Sequence, residues 1–192
     1  IAVYPNQGRD ILPFLRVASK IEDSNTMIVK ILTKSSNHRL TGAFWRRELF
    51  ENLISFKKID KALNYFNQNP HVGLIGPVGH IVPMNLYFGA NAMALRFFCK
   101  VFDISSSELQ TLNFIAGSMF FARLSALKPL LSLNIPDTMF EPEEGQTDGT
   151  MAHAIERVFS LSAHFQSMTI SDTSFPNSTS DTNVTKDHPF TW

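Results

Sequence analysis

Apolar positions follow two rhythms along this chain, and the rhythms predict its elements. Ile11, Phe14, Leu15, Val17, Ala18 and Ile21 recur at helical spacing behind Asp10, a residue type that caps helices. The run MIVKIL, Met27 to Leu32, is short, apolar and β-branched, which predicts an interior strand, and the polar stretch TKSSNHRLTG after it predicts a loop. Phe44 to Ile54 and Ile59 to Phe66 predict two amphipathic helices, the second with Ile59, Ala62, Leu63 and Phe66 on one face. VGLIGP (Val72 to Pro77) predicts a strand and Ala90 to Val101 a helix. LNFIAGSMFFAR (Leu112 to Arg123) then predicts one long strand, and Ser125 to Leu133 another helix. The acidic loop PDTMFEPEEGQTDG leads into a last helix from Thr150 to Phe165. Strands alternating with helices predict an α/β fold with a mostly parallel central sheet and helices on both faces. Ile1 to Tyr4 predicts a buried strand end, so the domain is expected to lack its first elements.

Composition narrows this picture. With 192 residues, 44% of them hydrophobic, the chain can bury one substantial core. That predicts one domain over residues 1–170, followed by a flexible tail over 171–192 rich in Ser, Thr, Asp and Asn. Lys plus Arg and Asp plus Glu stand at 17 each, which excludes a global field for nucleic acid or an anionic membrane; phosphate recognition must be local. The single cysteine, Cys99, lies in the apolar run LRFFCKVF and predicts a buried thiol in a reducing compartment. No apolar run is long enough to span a bilayer, so the expected location is cytoplasmic. The histidines show no metal-ligand spacing.

Four stretches together carry a resemblance: NQGRDILPFL (Asn6 to Leu15), VKILTKSS (Val29 to Ser36), FIAGSMFFAR (Phe114 to Arg123) and EEGQTDGTMAHAIERVF (Glu143 to Phe159). WRRELFENL (Trp45 to Leu53) and VGLIGP support them. In this order the chain resembles the rhamnan synthesis protein F family of bacterial polysaccharide assembly. The resemblance implies a single nucleotide-sugar-binding domain of the GT-A glycosyltransferase type. It implies inverting transfer of L-rhamnose from dTDP-L-rhamnose to a growing cell-surface polysaccharide, the acceptor being a glycan or lipid-linked glycan at the cytoplasmic face of the membrane. The competing expectation is a non-catalytic glycan- or partner-binding module with a degenerate transferase fold. Such folds commonly place Asp-x-Asp and a divalent cation at the donor diphosphate. Here the corresponding strand carries Lys30 and leads into Thr33 and Lys34, so the expected donor binding needs no metal. Mg²⁺ or Mn²⁺ enters only if carboxylates of the 141–148 loop reach it.

Each candidate residue has a chemical and a structural reading. Asp148, at the end of the acidic loop, is the first candidate for the base that takes the acceptor proton; before Gly-Thr it is equally an N-cap. Glu144 and Glu143 are its acidic companions or plain solvated charges. Asn6, Gly8, Arg9 and Asp10 form a turn where open α/β sheets bind ligands, with Arg9 for a phosphate and Asp10 for a ribose or base; the bland alternative is a cap and a surface charge. Lys30, Thr33 and Lys34 are phosphate candidates, extended by His38 and Arg39, and a lysine inside an apolar strand needs a partner in any case. Gly117 and Ser118 mark close approach of a sugar or tight packing. His153, Glu156 and Arg157 share one helical face as a pocket floor or a packing network, and Trp45 and Tyr87 are the candidate sugar-stacking rings.

Overall fold

A computed structural model describes residues 3–32 and 53–175. The predicted loop 33–42, most of the predicted helix at 44–54, and the tail beyond 175 lie outside the described residues. The described elements are α1 (Ile11–Ala18), β1 (Met27–Lys30), α2 (Phe56–Gln68), β2 (Val72–Gly76), β3 (Ile81–Pro83), α3 (Ala92–Val101) and α4 (Ser106–Thr111). They continue with β4 (Asn113–Ile115), β5 (Phe120–Arg123), α5 (Leu124–Ser132), α6 (Met151–Phe165) and β6 (Thr169–Asp172).

The sheet differs from the mostly parallel one that the alternation predicts. Its order is β1-β5-β2-β6, with β5 antiparallel to both β1 and β2, and only β2 and β6 parallel neighbours. The reason lies in the stretch read as one long strand. Gly117 and Ser118 both adopt left-handed backbone, at φ 93° and 58°, and break it in two. The first half, β4, pairs with β3 in a separate two-stranded sheet, and the second half enters the main sheet as β5. Because β1, β2 and β6 share a direction, their carboxyl ends meet the start of β5 at a single edge of the sheet. That edge is where Asp10, Lys30 and Ser118 gather.

Helices do cover both faces, and side-chain alternation explains how. Phe120 and Ala122 of β5 point into the larger core with α1, α3, α5 and α6, while Met119 and Phe121 point to the other side. There Phe121 packs with Ala62 and Phe66 of α2 and with Leu53. Full burial of a ring such as Phe66 contributes roughly 2–3 kcal/mol. Helix α6 is buried on most of its surface because its residues are apolar or small nearly all round. Pro129 inside α5 cannot donate a backbone bond, and the ladder beside it is bridged by α6: Ser162 Oγ donates to Ala126 O (2.8 Å) and accepts from Leu130 N (3.2 Å).

Elements of clear period fall close to their predicted places, with α6 opening one residue after Thr150, its cap. Two departures concern the ends of the domain. Val3 and Tyr4 form no strand, and Val3 is exposed. At the other end β6 reaches Asp172, and Ser171, Asp172 and Thr173 are buried, so the stretch read as tail begins inside the sheet.

Candidate functional site

The turn before α1 is held open by backbone conformation. Gly8 and Arg9 are both left-handed, at φ 64° and 57°. A left-handed non-glycine residue costs about 1 kcal/mol or more and persists only where its surroundings enforce it. Those surroundings include Gln7, whose amide donates to Phe140 O (2.7 Å) and Asp137 O (3.1 Å), tying the turn to the start of the acidic loop. A second left-handed pair, Gly117 and Ser118, sits across the sheet edge. Asp10 makes no capping hydrogen bond to α1 and turns instead toward this second pair.

Lys30 connects the two turns. Its ammonium donates to Asp10 Oδ2, to Ser118 O (2.9 Å) and to Ser118 Oγ (2.9 Å), and lies 5.3 Å from the centroid of the Phe14 ring. These are the partners that a buried ammonium requires. Three acceptors answer its three N–H groups, so Lys30 organises the site and offers no spare donor. Both bonds to Asp10 fall on Oδ2, the second from Ser118 Oγ at 3.2 Å. Oδ1 takes no bond among the described residues, and the side chain is partly exposed.

Arg9 is the cation with donors to spare. One guanidinium nitrogen lies 2.5 Å from His153 Nε2, and Nε lies 3.3 Å from Glu143 Oε2. Its side chain is 38% exposed, and the remaining N–H groups of its five-donor fork suit an oxygen anion. His153 is set by the start of α6, where Thr150 Oγ1 stands 2.7 Å from Nδ1. Glu156 Oε1 accepts from Gly117 N (2.6 Å) and so fixes the second turn to α6. Arg157 is fully buried beneath, donating to Tyr87 O (2.7 Å) and His153 O (2.6 Å). Burial lowers its pKa, against Glu156 and Asp148, which raise it.

Asp148 belongs to a different contact. Its Oδ2 accepts from Ala90 N (2.9 Å) and its Oδ1 from Asn91 Nδ2 (2.5 Å), joining the acidic loop to the turn before α3. Gly89 makes room for this contact, since a Cβ there would stand 2.1 Å from Asp148 Oδ2. Burial alone would raise the pKa of Asp148. Hydrogen bonds from Ala90, Asn91 and Gly149, with the charge of Arg157, hold it below its usual 3.8. Thr150, two residues later, is the cap of α6.

The structure therefore brings Arg9, Asp10, Lys30, Ser118, Gly117, His153, Glu156 and Arg157 into one network. Asn6 is exposed at its rim, and Glu144 is exposed further along the loop. Tyr87 is buried 6.2 Å from Phe114 and is a core ring, which removes it from the sugar-stacking candidates. Thr33, Lys34, His38, Arg39 and Trp45 lie outside the described residues. Sequence reading missed Gln7, Asn91 and Glu141, which accepts from Met151 N (2.9 Å); each acts through a long-range backbone or side-chain bond with no local signature.

Four carboxylates at this end have partners: Asp10 with Lys30, Glu143 with Arg9, Glu156 with Gly117, Asp148 with Ala90 and Asn91. Among the described residues no three His, Cys, Asp or Glu side chains are grouped to hold a metal ion.

Two curated relatives are similar to this chain. Both are called uncharacterized protein WxcX, from Xanthomonas campestris pv. campestris strains B100 and ATCC 33913, and each is 43% identical over 159 residues. The match covers 82% of this chain but 23% of theirs, so the chain spans about a quarter of the length of the curated relatives it matches. No solved structure matches it. The pattern of rhamnan synthesis protein F matches residues 1–168, taking in both left-handed turns, Lys30 and all of α6, and the chain belongs to the rhamnan synthesis protein F family.

Proposed function

We propose that this chain is a GT-A-like glycosyltransferase domain that transfers L-rhamnose from dTDP-L-rhamnose, with inversion, to a growing bacterial cell-surface polysaccharide. Family membership ties it to rhamnan and polysaccharide synthesis. The observation that carries the finer reading is Arg9, a partly exposed guanidinium with unused donors at the carboxyl ends of β1 and β2, where open α/β sheets receive their ligands.

In this reading the donor diphosphate lies against Arg9, which stabilises the charge that develops as the anomeric C–O bond breaks and dTDP departs with the electron pair. Lys30 is a positioning residue that holds Asp10 and Ser118. Asp10 Oδ1 accepts a hydrogen bond from the nucleoside. The acceptor hydroxyl attacks the anomeric carbon from the opposite face and gives its proton to a carboxylate. We assign that carboxylate to Glu143, which adjoins Arg9, and assign Asp148 to loop anchoring. A depressed pKa makes Asp148 a weak base, and both its oxygens are engaged. A transfer assay separates the two: Glu143→Gln is expected to lose turnover by about a hundredfold or more, Asp148→Asn to keep most of it. The opposite pattern would return the base to Asp148.

One observation favours the second reading, a non-catalytic glycan- or partner-binding module. Asp10, Glu143, Glu156 and Asp148 are each already engaged by a partner within the domain, which suits a surface that binds without proton transfer. Calorimetry showing oligosaccharide binding without dTDP-sugar binding would establish it.

A further inference from the structure

Helix α3 presents a face that nothing in the described structure covers. Leu95, Phe98 and Cys99 are buried, and Phe102 just past the helix joins them in the core. On the other side Met93 is 84% exposed, Phe97 60% and Val101 38%. These three follow one another at intervals of four residues, so they form a single apolar stripe along the helix. Arg96 and Lys100 are also exposed and fall beside the stripe, three and seven residues after Met93. The helix AMALRFFCKV contains no acidic residue; the nearest in sequence, Asp103, lies in the turn beyond its end.

We propose that α3 docks the domain on an anionic lipid surface, with Met93, Phe97 and Val101 entering the acyl boundary and Arg96 and Lys100 meeting lipid phosphates. Aromatic and long apolar residues interleaved with cations are the composition of helices that lie in the plane of a membrane interface. A protein partner would bury the two cations only with matching carboxylates, whereas an anionic lipid surface meets cations and apolar residues together. The helix follows the Gly89–Asn91 turn, which Asp148 holds against the acidic loop. The proposal stands apart from the transferase reading, since it rests on α3 alone.

Flotation of the whole protein with vesicles tests it. Vesicles of phosphatidylcholine with about a third phosphatidylglycerol are expected to carry the protein upward, and pure phosphatidylcholine vesicles to carry several-fold less. Phe97→Glu is expected to abolish flotation, and the pair Arg96→Glu with Lys100→Glu to reduce it by at least about twentyfold, leaving melting temperatures unchanged because all three side chains are exposed. Equal flotation by wild type and Phe97→Glu would overturn the proposal. So would a wild-type dimer in sedimentation that Phe97→Glu dissociates without any wild-type flotation, since the stripe would then bind a second copy.

Discussion

Two aspartates stand just before two helices, and the fold uses them in opposite ways. Asp10 precedes α1 and Asp148 precedes α6 by three residues, and sequence alone allows each to be a cap. Neither caps its helix in the structure. Asp10 faces a buried ammonium and leaves one oxygen toward solvent, whereas Asp148 has both oxygens on the turn before α3. One carboxylate is thus part of a charged, partly open site, and the other is a fastener between two loops. An acidic residue in an acidic loop is weaker evidence for catalysis than a cation with donors left over.

Breaking the first region has the largest expected effect on stability. Lys30→Met leaves Asp10 beside an apolar chain and strips Ser118 of its donor. Removing one partner of a buried pair costs 3–5 kcal/mol; with Asp10 partly exposed, a loss of about 3 kcal/mol is expected in urea unfolding, together with loss of any thermal shift caused by dTDP. A loss under about 1 kcal/mol would mean that the buried ammonium does not hold the two turns as described.

Gly89→Ala attacks the fastener. The added methyl cannot coexist with Asp148 Oδ2, and the φ of 52° is already left-handed, so a destabilisation of about 2 kcal/mol is expected. Combined with Asp148→Ala the two costs should fall short of their sum, because both act on one contact.

Asp148→Asn should cost about 1 kcal/mol at neutral pH. The pKa of Asp148 is lower folded than unfolded, so its contribution is present above 3.8 and fades as pH falls through the folded value. Urea unfolding of wild type and Asp148→Asn should therefore converge in acid. A gap that persists at low pH would show that shape, not charge, makes the contact.

Helical periodicity made α1, α2, α3, α5 and α6 legible, and the need of an ammonium for a partner marked Lys30. The sheet was less so. Phe114 to Arg123 is apolar on both sides of Gly117, and a chain break by two left-handed residues differs little in sequence from a strand with a glycine in it. Strand β6 escaped notice because its edge residues are polar and satisfied by hydrogen bonds, such as Ser171 Oγ to the Tyr65 hydroxyl at 3.2 Å. α4 carried a readable signal in Ser105 and Glu108, a capping box, but its six residues are too short for a period. The partners of Asp148 lie 57 and 58 residues away, beyond any local pattern.

The most direct test of the account is a calorimetric titration of the whole protein with dTDP-L-rhamnose, comparing wild type, Arg9→Gln and Asp148→Asn. Wild type and Asp148→Asn are expected to bind alike, and Arg9→Gln about tenfold or more weakly, the loss of a charged hydrogen bond, with little change in stability. Equal binding by Arg9→Gln, or no binding by the wild type, would contradict the site described at the ends of β1 and β2.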